Sequence, residues 1–116
     1  MSPPHSEIVL LADILEATRD AQEFIKGMTF EEFSADKRIV YAVIKAFEII
    51  GEATKKVSPS FKEQNPGLPW RFMAGMRDKL IHDYSGVDRE ILWRTVTERL
   101  PPLEAQLVQL LSDIQS

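Results

Sequence analysis

Residues 37–56, KRIVYAVIKAFEIIGEATKK, are the segment that most limits how this chain can fold. Apolar residues recur there every three or four positions, which is the period of an α-helix and not of a β-strand. The main stripe consists of Val40, Val43, Ile44, Phe47 and Ile50, and it is widened by Tyr41, Ala42, Ala46 and Ile49. A helix that is apolar on nearly all sides is central in a bundle or buried between subunits.

Helical periodicity also dominates the sequence before this segment. A first helix is predicted over about residues 6–26, ending near Gly27, with an apolar stripe of Ile8, Leu11, Ala12, Leu15, Phe24 and Ile25. Residues 29–32, TFEE, match the T-x-x-E capping box and predict a short helical turn. Ser34 or Asp36 is expected to cap the long apolar helix.

Proline, glycine and aspartate mark helix boundaries in the second half of the chain. A connector over residues 58–67 leads to a third helix over 70–83, with Phe72, Met73, Met76 and Leu80 inside. Asp88 is expected to cap a fourth helix with Ile91, Leu92 and Val96 inside, and Leu100-Pro101-Pro102 to interrupt it before a last helix. The sequence therefore predicts one all-α domain over residues 1–116, an up-and-down bundle of four to five helices.

Composition excludes several classes of protein. The chain has no cysteine, so disulfide frameworks and thiolate metal sites are excluded, and a reducing cytoplasmic location is expected. We expect neither a signal peptide nor a membrane span. The net charge is −4, but residues 51–82 carry six Lys or Arg against three Asp or Glu. This local excess of positive charge favours a phosphate-binding patch, although ordinary solvated charge explains it as well.

The basic third of the chain ends in RDKLIHDYSG, residues 77–86, which spaces Arg77, His82 and Tyr84 as R-x-x-x-x-H-x-Y. Arginine can hold two phosphate oxygens at once, and histidine, with an unperturbed pKa near ~6.5, can move a proton at neutral pH. Asp78 and Asp83 are candidates to orient the imidazole. These residues suit RNA cleavage, in which the 2′-hydroxyl is the nucleophile. No residue pattern suggests a metal site or another cofactor.

Helix geometry leaves alternatives open for this motif. Positions 77 and 82 are about 140° apart around a regular helix, so their side chains do not converge within one chain. Either the helix unwinds before His82, or the cooperating arginine and histidine come from the two subunits of a dimer. A third interpretation is purely structural, with His82 near a helix C-terminus and Tyr84 hydrogen-bonded there.

The chain resembles the HepT-like family of the HEPN superfamily, small helical proteins of toxin–antitoxin modules. The resemblance lies in EIIGEA (48–53), NPGLPWRFMAGMRDKLIHDY (65–84), VDREILWRTV (87–96) and LPPLEAQLVQLL (100–111). The superfamily marker is an arginine, a polar residue and a histidine four to six residues on, which Arg77, Asp78 and His82 match. The HepT-like branch adds a tyrosine, here Tyr84.

This resemblance implies a homodimeric, metal-independent endoribonuclease whose cleft lies at the dimer axis. Arg77 and His82 are its implied catalytic residues. The implied partner is an MntA-type nucleotidyltransferase antitoxin, which silences such toxins by transferring AMP to the motif tyrosine, Tyr84. The alternative is a non-catalytic subunit that binds a nucleotide or the nucleotidyltransferase.

Other residues are weaker candidates for a role in catalysis or RNA binding. Glu52 is a candidate to position Arg77 through an ion pair, or it is an ordinary helix carboxylate. Lys79 and Arg71 are candidates to contact RNA phosphates. Trp70 and Trp93 are expected to anchor the core or an interface rather than to stack on bases, and Tyr41 to be buried.

Overall fold

The computed structural model describes the backbone of residues 5–80 and 88–115 and the side chains of residues 6–76 and 88–115. The elements are α1 His5–Phe24, α2 Phe30–Ala35, α3 Lys37–Lys56, α4 Pro59–Gln64, α5 Trp70–Leu80, α6 Arg89–Arg94, a π-helical segment Thr95–Arg99, and α7 Leu100–Gln115. Every regular element in these ranges is helical, so the all-α prediction is confirmed. In these ranges no helix has the length and apolarity that crossing a membrane requires.

Helix α3 lies at the centre of the bundle, as its apolar sequence predicts. It packs against α1 and α5, α7 packs against α1, and the short α2 packs against α3 and α6. All five residues of the predicted main stripe are buried: Val40, Val43, Ile44, Phe47 and Ile50. The wider stripe is wrong at two positions, because Tyr41 is 55% exposed and Ile49 37% exposed. Helices pack against α3 without surrounding it, and an outer face of α3 remains open.

The core face of α1 is rotated from the predicted one. Its buried apolar residues recur every three or four positions and are Leu11, Ile14, Ala17 and Ala21, and Ile25 continues the same face just after the helix. Ala12 and Phe24, which the sequence places in the stripe, are exposed, and Glu7 is buried. Both α3 and α7 pack on α1, so the centre of its buried face is decided by two partners rather than by the most apolar stretch of its own sequence.

Helix ends form where local side chains satisfy free backbone N–H groups. The Thr29 hydroxyl accepts from the Glu32 N–H at 3.1 Å, and Glu32 Oε1 accepts from the Thr29 N–H at 2.9 Å, which completes the predicted capping box. Asp36, not Ser34, caps α3: its Oδ1 accepts from the backbone N–H of Arg38 at 3.1 Å. Asp88 caps α6 in the same way. Gly27 follows α1 with a φ of 79°, a left-handed conformation that glycine adopts without strain.

The predicted interruption at Leu100-Pro101-Pro102 is wrong. Helical structure continues from Arg89 to Gln115, and the five residues before Leu100 form a π-helix. Proline in a helix lacks an N–H, and its ring clashes with the carbonyl four residues earlier. A π-helical turn shifts hydrogen bonding from four to five residues and displaces those carbonyls, so the two prolines are accommodated without a break.

The two tryptophans anchor short elements to the bundle, as predicted. Trp93 packs on Phe33 with ring centroids 5.5 Å apart and on Phe30 at 6.1 Å, which joins α6 to α2. Leu92 and Val96 are buried beside it, whereas Ile91, predicted to be inside, is 44% exposed. Trp70 begins α5 and lies edge-on to Phe61 of α4 at 6.3 Å.

Candidate active site and the adjoining cleft

The C-terminal end of α5 carries the first part of the predicted catalytic motif. The backbone positions of Arg77, Asp78 and Lys79 lie in the last turns of this helix, while their side chains lie outside the described residues. His82, Asp83 and Tyr84 lie wholly outside them. The proposed convergence of Arg77 and His82 therefore stays a prediction.

Glu52 lies near the C-terminal end of α3, the helix that packs along α5. Its side chain is on the exposed side of α3 and not in the core, which fits a functional or surface role better than a buried structural one. The predicted ion pair with Arg77 involves a side chain outside the described residues, so this pairing also stays a prediction.

A cleft of about 800 Å³ runs along α5, beside the helix end that carries Arg77. We call it the α5 cleft. Its lining comes from α4, the connector to α5, α5 itself and the π-helical segment, and consists of Lys62, Glu63, Pro66, Leu68, Pro69, Trp70, Arg71, Phe72, Gly75, Met76 and Arg99. Most of these side chains are apolar or aromatic, and we call the charged ones, Lys62, Glu63, Arg71 and Arg99, the rim; of its cations, Arg71 and Arg99 are exposed and Lys62 is half-buried. Its volume lies within the range of roughly 300–1,000 Å³ that is typical of ligand sites.

Local contacts hold the wall of the cleft in place. The Trp70 indole Nε1–H donates to the Asn65 carbonyl at 2.9 Å, and the Asn65 side-chain amide donates to the Phe61 carbonyl at 2.9 Å. On the other side, the Gln106 side-chain amide of α7 donates to the Gly67 carbonyl at 2.9 Å. The connector between α4 and α5 is thus held at its ends through Asn65 and Trp70 and at its middle through Gly67.

The rim of the α5 cleft is cationic although the chain as a whole is acidic. Three cations, Lys62, Arg71 and Arg99, face a single carboxylate, Glu63, which gives the lining a net charge of +2. Neither Arg71 nor Arg99 is in an ion pair with a side chain of the described ranges. Arg99 instead places its guanidinium carbon 3.9 Å from the centroid of the Phe72 ring, a cation–π arrangement.

Only part of this lining was predicted from the sequence. Arg71 was predicted to contact phosphate, and it lies on the rim; Phe72 was predicted to lie in the core, but it is only half-buried and lines the cleft. Arg99 and Lys62 were not predicted. Arg99 is 27 positions from Phe72 along the chain, and no local spacing marks that pair.

Comparisons with known proteins agree with the resemblance drawn from the motifs. The family model described as "Ribonuclease HepT-like" matches residues 14–110. A "Probable ribonuclease HepT" of Thermococcus cleftensis is 50% identical over 100 residues, covering 86% of this chain and 91% of the relative. A putative RNase of Methanocaldococcus jannaschii is 43% identical over 105 residues, covering 90% and 87%.

A putative RNase of Caldanaerobacter subterraneus is 42% identical over 101 residues, covering 87% of this chain and 90% of the relative. No solved structure matches the chain significantly. The family match includes α5, the predicted catalytic motif and the π-helical segment, so it covers every residue of the candidate site. This chain belongs to the ribonuclease HepT-like family.

Proposed function

We propose that the protein is a metal-independent endoribonuclease, the toxin of a type VII-like toxin–antitoxin module. The observation that carries this proposal is the presence of Arg77, Asp78, His82 and Tyr84, in the spacing of the HEPN marker, within a chain that belongs to a ribonuclease family. The cation-rimmed cleft beside Arg77 adds support, because RNA is a polyanion and the rest of the chain is acidic.

The proposed reaction is an internal transfer at one phosphodiester. The 2′-hydroxyl oxygen attacks the adjacent phosphorus, its proton passes to a base, and the bond from phosphorus to the 5′-oxygen breaks as that oxygen receives a proton. The products are a 2′,3′-cyclic phosphate and a 5′-hydroxyl. His82 moves protons in this scheme, Arg77 stabilises the negative charge that develops on the phosphoryl oxygens, and Asp78 and Asp83 support the imidazole.

An RNA cleavage assay in EDTA tests the proposal. We expect the wild-type protein to cut RNA under these conditions and to leave the end groups named above. His82→Ala should lower the rate by ~10²–10⁴-fold, because proton transfer is lost. Arg77→Ala should lower it by ~10²–10³-fold, because charge stabilisation is lost.

A matched control comes from Arg94, an exposed arginine that does not line the cleft and lies 3.8 Å from Glu90. Arg94→Gln should cleave at the wild-type rate, and circular dichroism should show all three variants folded. Full activity of His82→Ala, or loss of wild-type activity in EDTA, contradicts the mechanism. Absence of cleavage by the wild type would favour the alternative, a subunit that binds a nucleotide or nucleotidyltransferase without catalysis.

We further propose that an MntA-type nucleotidyltransferase silences the toxin by adenylylating Tyr84. Position 84 follows Arg77 by seven residues, which would be about two turns of a continuous helix, and on such a helix a phosphate added there would be within reach of the same arginine and could occupy the place of the scissile phosphate. Intact mass spectrometry after incubation with the partner, ATP and Mg²⁺ should show an adenylyl increment on the wild type. An increment that persists on Tyr84→Phe would place the acceptor at another residue.

A further inference from the structure

We propose that the α5 cleft is a binding subsite for one nucleotide of the RNA strand, roughly two to three nucleotides from the scissile phosphate, with the base against Phe72 and Arg99. This inference rests on the proposed function, since it assigns the substrate contacts of the same site. It commits to single-stranded RNA as the occupant, and a second copy of this chain is the competing occupant that the experiment must separate from it.

The chemistry of the lining fits an unpaired nucleotide. A base is a flat apolar ring with a polar edge, and it is attached to a phosphate. The cleft offers aromatic and apolar surface from Trp70, Phe72 and Met76, with cations only at the rim. Stacking of bases on aromatic or guanidinium planes, together with phosphate contacts to basic side chains, is how proteins hold single-stranded nucleic acid.

The stacked pair of Arg99 and Phe72 is the most specific feature. With its guanidinium carbon 3.9 Å from the ring centroid, Arg99 has one face against Phe72, while its side chain remains exposed overall. It has no carboxylate partner in the described part of the chain. A base can therefore stack on the arginine plane or against the ring edge without breaking an existing ion pair. Both residues also line a second depression of about 340 Å³, so the pair stands between two hollows.

The position of the cleft relative to the motif fits a strand that continues to the cleavage site. Arg71 lies on the rim, and Arg77 follows it by six residues on the same helix, about 9 Å along the axis and about 120° around it. The axial distance corresponds to roughly two to three nucleotides of a stacked strand at about 3.4 Å each. A strand that runs from the subsite to Arg77 therefore passes partly around α5.

The charge of the lining favours RNA over a second subunit. The cleft carries a net charge of +2, so two copies that met through it would bring like charges together. A polyanion is attracted by the same charges, and releases counterions when it binds.

Binding of a fluorescently labelled 2′-O-methyl RNA, measured by anisotropy, tests the inference. This probe cannot be cleaved because its 2′-oxygen is blocked, so binding is read separately from catalysis. Arg99→Gln should weaken binding about tenfold or more, because the stacked cation is lost. Phe72→Leu keeps apolar volume but removes the aromatic face, and should weaken binding to a similar extent. Arg94→Gln, on the same continuous helix but outside the cleft, should bind as the wild type does.

The salt dependence of binding gives a second readout. Arg71→Gln should reduce the slope of log affinity against log salt by about 0.7, the value for one lost phosphate contact on a single strand. Wild-type affinity of Arg99→Gln and Phe72→Leu overturns the proposal. So does a change in oligomeric state of these two variants by light scattering, because the cleft is then an interface between copies of the chain.

The two proposals fail in different ways. If the wild type binds the probe through the cleft but cuts no RNA, the nuclease proposal fails and the subsite stands. If the wild type cuts RNA with His82 dependence while Arg99→Gln binds normally, the subsite fails and the nuclease proposal stands. If the wild type neither binds nor cuts RNA, both fail.

Discussion

At the scale of single residues, two buried oxygens are notable because no hydrogen-bond partner is found for them within the described structure. They are Glu7 Oε2 on α1 and the Thr54 hydroxyl on α3, both in side chains with at most 5% exposure. The other Glu7 oxygen accepts from the Ser58 N–H at 3.2 Å, which helps to fix the start of α4 against α1. An unpaired buried polar group typically costs ~1–3 kcal/mol, so these atoms lower the stability of the fold.

Thr54→Val tests this cost. Valine has nearly the same shape as threonine and removes the unpaired hydroxyl, so the free energy of unfolding should rise by about 1 kcal/mol in a urea titration. Thr18→Val is the matched control, because the equally buried Thr18 hydroxyl donates to the Ile14 carbonyl at 2.8 Å. That change should leave the stability equal or lower. A loss of stability in Thr54→Val would mean that the hydroxyl has a partner in solution.

At the scale of helices, the sequence predicts the ends better than the faces. The caps at Thr29, Asp36 and Asp88 form as expected because each joins a side chain to backbone N–H groups two or three residues further on. The exposure of Tyr41 on α3 depends on which helices pack around it, and its own apolar surroundings in the sequence gave no sign of that. Likewise, Pro101 and Pro102 predict a helix break because proline lacks a backbone N–H, whereas the π-helical turn just before Leu100 accommodates both prolines.

Thr29→Ala measures how much the capping box contributes to the free energy of unfolding. Loss of the side-chain acceptor at the start of α2 should lower the free energy of unfolding by about 1 kcal/mol, again by urea titration. Glu32→Ala removes the other half of the box, and the effects of the two changes should not add, because they share one structure. Thr97→Ala is the control, since its exposed hydroxyl donates only to carbonyls of its own helical segment, those of Trp93 and Arg94. Equal losses in Thr29→Ala and Thr97→Ala would show that the box contributes nothing of its own.

At the scale of the whole molecule, the motif proposed to be catalytic can be found in the sequence, and the surface beside it cannot. Arg77, His82 and Tyr84 lie within eight residues, and their spacing is visible in the sequence. The α5 cleft combines Lys62, Phe72 and Arg99 from three elements, and only tertiary packing brings them together. The side chains of Arg77 and His82 lie outside the described ranges. A site formed by the two subunits of a dimer therefore stays a prediction from the sequence.

We expect a homodimer whose two-fold axis passes near the C-terminal end of α5. The exposed apolar residues Tyr41 and Ile49 on α3 are consistent with further burial in an assembly. Light scattering should give twice the chain mass at micromolar concentration. Because the chain has no cysteine, Asp83→Cys introduces a single thiol that should form a disulfide between subunits near the axis.

Ser112→Cys, at an exposed position near the end of α7, should not cross-link under the same oxidising conditions. A stable monomer in light scattering would contradict the dimer. A dimer that cross-links through position 112 but not through position 83 would place the axis elsewhere.

The π-helical segment has a consequence for how the length of this chain can change. A π-helical turn holds one residue more than an α-helical turn, so removing one residue from Thr95–Arg99 would let this segment return to a regular α-helix. Helix α7 would then keep its rotation relative to α6, and its buried leucines, Leu100, Leu103 and Leu107, would stay in the core. What such a deletion removes is the displacement of carbonyls that accommodates Pro101 and Pro102. Alignments of relatives should therefore show one-residue gaps across these five positions only where the two prolines are absent.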